Sequence, residues 1–384
     1  MPQSLLAEDD LPAEETTRAI KIITVGGGKG GIGKTLVSSS LAIALAEAGT
    51  RVVLVDADLG GANVHTVMGI PTPEKTLHDF ISRKVKALAD VIIPAPIHGL
   101  QLICGAAGSI GMANMEYADK LKLIRHFRRL LAEFVIVDIG AGMSLNEVDL
   151  FNAGDIQIVV ANPEPTSIQE CYNFIKVAVF RRLRREFADA KEILEVLDRS
   201  KDPSHVHDRR LLTEIGAQIK AVNLRAGVRF FRIINSFSPK LILNRVYDYR
   251  ETLEGLALQI ATQDLLRLRL DFWGYMSYDP YIAKAVRAMR PGEILAGDPE
   301  NRERFLNMVQ QYLLGQNVHY RSVGTRTILP IVDLQPSETN HGRICSHECP
   351  LWQNCELQEG GLPCRMPDHM YRERLGGNLL TAGK

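Results

Sequence analysis

Seven apolar runs recur along the chain and alternate with stretches in which apolar residues repeat at helical spacing. The runs end near Val25, Val55, Cys104, Asp138, Ala161, Asn244 and Gly274. Strands joined through helices need right-handed crossovers, which lay parallel strands in one sheet and cover both of its faces. The pattern therefore predicts an α/β fold built on a mainly parallel, doubly wound sheet.

Two segments fall outside this alternation. Residues 1–19 carry five acidic residues, one arginine and little apolar periodicity, so they are predicted to form a flexible acidic arm. The alternating pattern occupies residues 20–315, and residues 316–384 follow as a linker and a cysteine-rich tail. One large domain with an extension at each end is the expected organisation.

Composition narrows the class of protein. Hydrophobic residues make up 46% of the 384 residues, as in an ordinary globular core, and no run of 18 apolar residues occurs. The amino terminus is acidic where a signal peptide would be basic and then apolar, so a soluble cytoplasmic protein is expected. Because the formal net charge is zero, nucleic acid is not an expected partner unless a local basic patch attracts it.

A glycine-rich loop follows the first apolar run and opens onto a helical pattern. Residues 28–35 fit the phosphate-loop motif G-x-x-x-x-G-K-[ST] at every position. Backbone N–H groups of such a loop point at phosphates, Lys34 would neutralise β- and γ-phosphate charge, and Thr35 would hold Mg²⁺. The sequence therefore predicts an ATP and Mg²⁺ site. Its predicted nucleotide-binding residues are Gly28, Gly30, Gly31, Ile32, Gly33, Lys34, Thr35 and Leu36.

Three aspartates follow apolar runs, at the edge where open parallel sheets bind ligands. Asp56 and Asp58 end the second run, and spaced carboxylates there can orient an attacking water, although one of the pair also fits a helix cap. Asp138 ends a run of four apolar residues before a glycine-rich turn and is predicted to hold Mg²⁺ as a Walker B aspartate.

A second lysine in the phosphate loop gives a more specific indication. Lys29 precedes Lys34 by five residues, and this spacing resembles the deviant Walker A motif, K-G-G-x-G-K-T, of the MinD/ParA family of P-loop ATPases. Residues 58–64, the Asp-x-Gly-Ala-Gly segment at 138–142 and Asn-Pro-Glu-Pro-Thr-Ser at 162–167 look most like the FlhG, flagellar-number, branch. The resemblance covers about residues 20–315 and implies a SIMIBI, MinD-like fold.

The resemblance also assigns roles. It implies that Lys29 reaches the nucleotide of a second subunit, that Asp58 positions water, and that Asp56 lies near the magnesium shell. Lys29, Lys34 and Asp58 are then the predicted catalytic residues, and Thr35, Asp56 and Asp138 the predicted magnesium residues. Asn244 matches the position that contacts adenine. A solvated surface lysine at 29 and a simple strand-ending asparagine at 244 are the structural alternatives.

The implied function is an ATP-dependent switch. Two copies would close around Mg²⁺-ATP, slow and partner-stimulated hydrolysis would release them, and an unidentified protein partner would set the position or number of a cellular structure. Peripheral attachment at the inner membrane face is a further expectation of this kind. However, the acidic arm lacks the glutamine-containing activation motif of FlhG, and Gly376 and Gly377 interrupt any basic amphipathic helix at the carboxyl end. An iron-sulfur carrier or reductase component and a ParA-type DNA-partitioning ATPase are the alternatives.

A long stretch separates the Asn-Pro-Glu-Pro-Thr-Ser segment from the run ending at Asn244, where similar proteins have one short helix. The predicted helical insertion spans about residues 178–238, and residues 176–238 hold 14 basic and 8 acidic residues. Spacings of three and four predict one apolar stripe along a helix. The stripe comprises Phe180, Leu183, Phe187, Ala190, Leu194 and Leu197. It would pack on the ATPase core and leave the arginines at 181, 182, 184 and 185 solvated, or it would bind a partner or membrane surface.

Four cysteines crowd the tail. Cys345, Cys349, Cys355 and Cys364 follow one another closely, after the alternating pattern of the large domain has ended. In a reducing cytoplasm such a cluster predicts metal ligands, for zinc or an iron-sulfur cluster. Unligated thiols and a regulatory disulfide are the alternatives, and no Cys-x-x-Cys pair decides between them. Cys104 and Cys171 lie in apolar or helical contexts and are expected to be buried.

Overall fold

The computed structural model describes residues 19–315, apart from 59, 106–114, 116 and 200–210, together with Leu351. The chain divides into two units, residues 1–319 and 320–384, and the fold below belongs to the first. Most of the acidic arm and the four tail cysteines lie outside the described residues. The predictions made for them therefore stay predictions.

Eight strands form one sheet in the order β3-β4-β2-β5-β1-β6-β7-β8. The strands are β1 (Lys21–Gly26), β2 (Val52–Ala57), β3 (Ile93–Pro94), β4 (Leu100–Ile103), β5 (Phe134–Ile139), β6 (Ile156–Ala161), β7 (Lys240–Val246) and β8 (Asp271–Ser277). All pairs are parallel except β3 with β4. The predicted α/β fold with a mainly parallel sheet is confirmed, and each of the seven predicted strands ends within three residues of the expected place.

Helices connect these strands and cover the sheet. They are α1 (Lys34–Glu47), α2 (Val64–Val67), α3 (Leu77–Ile81), α4 (Tyr117–Phe127), α5 (Leu145–Phe151), α6 (Pro165–Glu186), α7 (Lys191–Arg199), α8 (Leu211–Val222), α9 (Leu224–Ser236), α10 (Leu253–Leu266), α11 (Pro280–Arg287), α12 (Gly292–Ala296) and α13 (Pro299–Met308). Short 3₁₀ turns cover Leu88–Val91 and Tyr249–Thr252, and a π-turn covers Val309–Leu313.

Two apolar cores form because successive side chains of a strand point to opposite faces. In β5, Phe134 and Ile136 pack into the core beneath α1 and α13, whereas Val135 and Val137 pack into the core beneath α4 to α10. Burial on both faces explains why the central strands are continuous apolar runs rather than alternating ones. It also leaves their carboxyl ends as the place where polar side chains gather.

The predicted insertion consists of the distal part of α6 together with α7, α8 and α9. The prediction of a single helix through the apolar stripe is wrong, because α6 ends at Glu186 and α7 begins at Lys191. The stripe nevertheless packs on the core: Leu183, Phe187 and Leu197 are buried there. Of the two alternatives for the stripe, packing on the core is therefore the one that the structure supports.

The arginines of α6 are not simply solvated. Arg181 donates to both carboxylate oxygens of the buried Asp149, at 2.7 and 2.9 Å, and Arg185 lies 3.9 Å from the same group. Arg184 pairs with Asp198, and Arg182 lies over the ring of Phe237, 5.9 Å from its centroid. These four charges are used within the chain.

Asp149 has a second cation. Lys120 of α4, itself only 3% exposed, donates to Asp149 at 2.8 Å and to the carbonyl of Leu145 at 3.3 Å. Burial alone would raise the pKa of Asp149, but hydrogen bonds from Arg181 and Lys120 outweigh it and hold the pKa below its usual value. The cluster ties α5 to α4 and α6.

Among the helices that the structure describes, none combines the length and the apolar character that crossing a bilayer requires.

Candidate functional site

The glycine-rich loop lies between β1 and α1, at the carboxyl edge of the sheet. Gly31 and Gly33 adopt φ angles of 74° and 90°, in the left-handed region that glycine enters without strain. A Cβ at Gly33 would lie 2.1 Å from the side-chain nitrogen of Asn244, so no larger residue fits there. The loop and first turn of α1 hold the predicted nucleotide-binding residues Gly28, Gly30, Gly31, Ile32, Gly33, Lys34, Thr35 and Leu36.

Lys34 turns back into this loop. Its side chain is 7% exposed, and its Nζ donates to the carbonyl oxygen of Lys29 at 3.2 Å. Burial lowers the pKa of Lys34, while the charges of Asp138 and Asp58 oppose that shift. A buried ammonium inside a glycine loop is placed to meet phosphate oxygens.

Thr35 and Asp138 come together beneath the loop. The Thr35 hydroxyl donates to Asp138 Oδ2 at 2.7 Å, whereas Asp138 Oδ1 is buried without a hydrogen-bond partner. Burial raises the pKa of Asp138 to about 6. A half-buried hydroxyl and an unpartnered carboxylate oxygen are the kind of oxygen ligands that Mg²⁺ takes, and the excess negative charge here favours a cation, so these residues fit that ion.

Asp56 lies beside Asp138 on the neighbouring strand. Its two oxygens accept the N–H groups of Asp58 at 3.2 Å and Val64 at 3.0 Å. Because Val64 is the first residue of α2, Asp56 satisfies one free N–H at the start of that helix, whereas the N-cap position itself is Asn63. Burial, and then repulsion from Asp138, raise the pKa of Asp56 to about 7. Its place near a magnesium shell stays a prediction.

Asp58 lies at the rim of the same site. Its Oδ1 accepts the N–H groups of Gly60 at 3.2 Å and Gly61 at 2.9 Å. The same oxygen lies 3.0 Å from where a Cβ of Gly140 would stand, so the Asp58 carboxylate lies against the glycine turn after β5. The structure thus brings together the two loops that the sequence placed at this edge. Water positioning by Asp58 stays a prediction.

Lys29 has partners that sequence reasoning missed. Its Nζ donates to Thr166 Oγ1 at 3.1 Å and lies 3.8 Å from Glu164 Oε2, at the start of α6 in its own chain. The side chain is 37% exposed, at the rim of the loop. A signal existed: β6 is parallel to β1 and hydrogen-bonded to it, so the residues after both strands meet at one edge.

Asn244 supports the loop from the other side. Its side-chain amide donates to the carbonyl oxygen of Ile32 at 2.8 Å, and the residue is 2% exposed. Arg245 follows with a φ of 57°, a strained angle for a residue with a side chain. Contact of Asn244 with adenine stays a prediction, and its visible role is to hold the phosphate loop.

Within the described ranges, no three or more His, Cys, Asp or Glu side chains form a group that could hold a metal ion by themselves. Cys104 and Cys171 are buried and unpaired, as predicted, and burial raises the pKa of each thiol to about 12. The zinc or iron-sulfur prediction for Cys345, Cys349, Cys355 and Cys364 concerns residues outside those ranges.

Comparison with known proteins places this site in context. The family model described as ParA, an NUBPL iron-transfer P-loop NTPase, matches residues 18–114. Antiactivator FleN of Pseudomonas aeruginosa is 39% identical over 160 residues, covering 41% of this chain and 56% of FleN. Flagellum site-determining protein YlxH of Helicobacter pylori is 33% identical over 159 residues, covering 41% and 53%. The chain thus spans about half the length of these curated relatives.

Among solved structures, the septum site-determining protein MinD of Pyrococcus horikoshii, complexed with Mg-ADP, superposes with a TM-score of 0.51. The match covers 77% of this chain and 97% of that protein at 21% identity. At this identity the likeness shows the fold alone.

Proposed function

We propose that the chain is an ATP-hydrolysing switch of the ParA/MinD type that works as a pair, in line with its similarity to P-loop NTPases of that family. The observation that carries the proposal is the loop itself. Lys34 is buried and turned inward, whereas Lys29 leaves the same loop at its rim. Lys34 would thus meet the phosphates of the chain's own nucleotide, and Lys29 would reach a second copy.

The chemistry follows from the groups at this edge. Lys34 and the loop N–H groups would bind the β- and γ-phosphates of ATP. Thr35 and Asp138 would hold Mg²⁺, with Asp56 behind them, and that ion would neutralise phosphate charge. The Asp58 carboxylate would accept a proton from the attacking water and orient it. Asn244 would keep the loop in its binding conformation through Ile32.

Pairing would begin with release of Lys29. In the single chain its ammonium is held by Thr166 and Glu164, which are partly exposed and cost little to leave. ATP phosphates on a second copy carry more negative charge than one carboxylate. Transfer of Lys29 to them would stabilise the closed pair and the charge that develops during hydrolysis.

The relatives indicate what such a switch would control. FleN is named an antiactivator, YlxH a flagellum site-determining protein and MinD a septum site-determining protein. A switch that regulates the position or number of a cellular structure, through a protein partner that recognises the ATP-bound pair, fits the two site-determining names. Attachment at the inner membrane face and slow, partner-stimulated turnover belong to the same proposal.

Three variants test the mechanism. Lys34→Ala should lose ATP binding in calorimetry, and Lys29→Ala should keep ATP binding but lose pairing in light scattering. Asp58→Ala should accumulate as an ATP-dependent dimer, because ATP would bind but not be hydrolysed. Lys86→Ala, at an exposed lysine outside the site, is the matched control and should behave as wild type.

One result for Asp58→Ala would contradict the pairing mechanism. If Asp58→Ala stays monomeric with Mg²⁺-ATP while its ATP affinity is normal, the pairing mechanism is wrong. The trapped Asp58→Ala dimer is also the reagent for capturing the protein partner, since it would present the ATP-state surface without turning over.

An iron-sulfur carrier is the second candidate, favoured by the four clustered cysteines of the tail and by the iron-transfer description of the matched family. Its support is indirect, because the matched residues 18–114 do not include those cysteines. Metal analysis and an absorption spectrum of anaerobically purified protein separate the candidates. Absence of iron removes the carrier, whereas zinc would assign the tail a structural metal.

A DNA-partitioning role would need an exposed basic surface, and Arg181, Arg182, Arg184 and Arg185 do not supply one, because they make contacts within the chain. If the ATP-bound protein is not retained on DNA at low salt, the DNA-partitioning role is excluded.

A further inference from the structure

The helical hairpin of α8 and α9 presents an exposed apolar surface. Asn223 alone joins the two helices and caps α9 by accepting the N–H of Ala226 at 3.0 Å. Around this joint Val222, Leu224 and Val228 are 50%, 62% and 53% exposed. An open groove of about 600 Å³ continues from them, lined by Lys220, Val228, Phe231, Arg232, Asn235 and Ser236. Exposed apolar side chains grouped beside a groove are typical of an interaction site.

Positive charge surrounds this groove. Arg225, Arg229 and Arg232 are spaced four and three residues apart, so they lie along one side of α9, and α9 contains no acidic residue. Arg229 pairs with Glu186 at 2.8 Å. Within the part of the chain that the structure describes, Lys220, Arg225 and Arg232 form no ion pair. The surface therefore fits an acidic segment that also carries apolar side chains.

The chain supplies one segment of that composition. Three longer stretches lie outside the described residues: 1–18, 200–210 and, apart from Leu351, 316–384. Residues 200–210 carry three basic and two acidic residues, and residues 316–384 carry seven of each. Only the acidic arm has a strong negative excess, five acids against one arginine, and it carries Leu5, Leu6 and Leu11 beside those acids. We propose that the acidic arm docks on the α8–α9 hairpin of its own chain.

The connection is short enough for this contact. The arm enters β1 at the amino edge of the sheet, and α9 ends at Ser236, just before β7 begins at the same edge. Only β6 lies between β1 and β7, which puts their ends about 10 Å apart at ordinary strand spacing. Eighteen residues can span up to about 60 Å. Because a tether of this length gives a local concentration in the millimolar range, a weak contact is enough to keep the arm docked.

Docking would cover Leu224 and Val228 and neutralise the unpaired arginines.

The test is photo-crosslinking within the full chain. A benzophenone amino acid placed at Leu6 or Leu11 should cross-link to peptides covering residues 220–236, identified by mass spectrometry. The double substitution Arg225→Glu, Arg232→Glu should reduce the yield roughly fivefold, and 0.5 M salt should reduce it as well. Adding Glu8→Arg and Asp9→Arg to that variant should restore the yield. Arg287→Glu with Arg290→Glu, on α11 and the loop after it, is the matched control and should change nothing.

Other results overturn the proposal. Cross-links to other parts of the chain, or a yield that ignores charge reversal and salt, mean that the arm lies elsewhere. Cross-links between isotopically labelled and unlabelled copies mean that the arm docks on a second copy. Equal binding of phosphatidylglycerol vesicles by wild type and by Glu8→Arg, Asp9→Arg, lost in Arg225→Glu, Arg232→Glu, assigns the hairpin to a lipid surface. Melting curves of all variants should match, because the substituted arginines are exposed.

Discussion

The buried carboxylate of Asp149 and the buried pair Asp56 and Asp138 differ in whether cations of the chain neutralise their charge. Asp149 receives hydrogen bonds from Lys120 and from Arg181, and its pKa lies below the usual value. Asp56 and Asp138 are equally buried, but their hydrogen bonds come from backbone N–H groups and hydroxyls rather than from cations, and their pKa values rise to about 7 and about 6. Lys34 is nearby, yet its hydrogen bond goes to the carbonyl of Lys29.

The difference separates a structural ion cluster from a binding site. Charge that the chain balances with its own cations holds elements together, here α4, α5 and α6. Charge that the chain leaves unbalanced costs folding energy and is retained where a ligand supplies the missing cation. The first three predictions below test whether these two groups respond differently, and the fourth turns to an exposed ion pair.

Removing Asp149 should have the largest effect on stability. Asp149→Ala leaves Lys120 buried without its counter-charge, and breaking a buried pair from one side costs about 3–5 kcal/mol. Urea unfolding without nucleotide measures this loss. Glu186→Ala breaks the half-exposed pair with Arg229 and should cost less than about 1 kcal/mol. Equal losses in the two variants would mean that the Asp149 cluster is not structural.

Removing charge from the Asp56 and Asp138 pair should lower ATP hydrolysis rather than stability. Asp138→Asn keeps an acceptor for Thr35 while relieving repulsion with Asp56, so the free energy of unfolding without metal should not fall. ATP hydrolysis should drop at least about 100-fold, because one magnesium ligand is lost. Phosphate release and melting curves with and without Mg²⁺-ATP measure both. A metal-free loss as large as that of Asp149→Ala would place Asp138 in the structural class.

The two groups should also respond to pH in opposite directions. The folded pKa values of Asp56 and Asp138 lie above the value of 3.8 for a free aspartate, so between about pH 4 and 7 the folded chain binds more protons than the unfolded chain. Their contribution to stability is therefore lost as pH rises through this window. Asp149, with its lowered pKa, contributes stability that is lost only on acidification below about pH 4.

Urea unfolding of the metal-free protein from pH 5 to pH 8 checks this sign. The double variant Asp56→Asn, Asp138→Asn should lose less stability than wild type as pH rises. Mg²⁺ should recover stability for wild type at pH 8 but not for the double variant. Parallel pH profiles would show that the two aspartates carry no unbalanced charge.

The smallest effect is expected at Lys29, where the ion pair is exposed. Glu164→Gln should change the free energy of unfolding by less than about 0.5 kcal/mol, because the two side chains are 37% and 57% exposed. The affinity of ATP-dependent pairing should rise by about twofold, because Lys29 then breaks a weaker interaction within its own chain. Light scattering against ATP concentration measures it. Glu293→Gln, which breaks the exposed pair with Arg290, is the control, and weaker pairing in Glu164→Gln would contradict the expectation.

Local pattern was enough to predict most of the sheet and the loop at its centre. Buried strands such as β2 and β5 are continuous apolar runs that end in aspartate or shortly after it, so both the strand and its ligand edge are visible in the sequence. The strand β3 was missed because two residues, Ile93 and Pro94, carry no periodicity. The break between α6 and α7 was missed because the apolar spacing continues through Phe187 and Ala190 although the helix does not.

Side-chain contacts between residues far apart in the sequence could not be predicted from the local pattern of apolar and polar residues. The hydrogen bond from Lys29 to Thr166 joins residues 137 positions apart in the sequence. The hydrogen bond from Arg181 to Asp149 depends on how α5 packs against α6. Nothing in a run of arginines at 181–185 tells whether they face water or a buried carboxylate. Only the packed structure shows that the exposed basic surface lies on α9 instead.

The bond from Asn244 to the carbonyl of Ile32 joins residues 212 positions apart, and it sets an order of events during synthesis. At about 5–20 residues per second, a ribosome needs roughly 10–40 s to travel from the glycine loop to the asparagine that holds it. During that time β1 has left the ribosome, but β7, and with it the support of the loop, does not yet exist. The nascent chain would therefore bind ATP only after the insertion has been made, so incomplete chains would not join the pairs formed by finished ones.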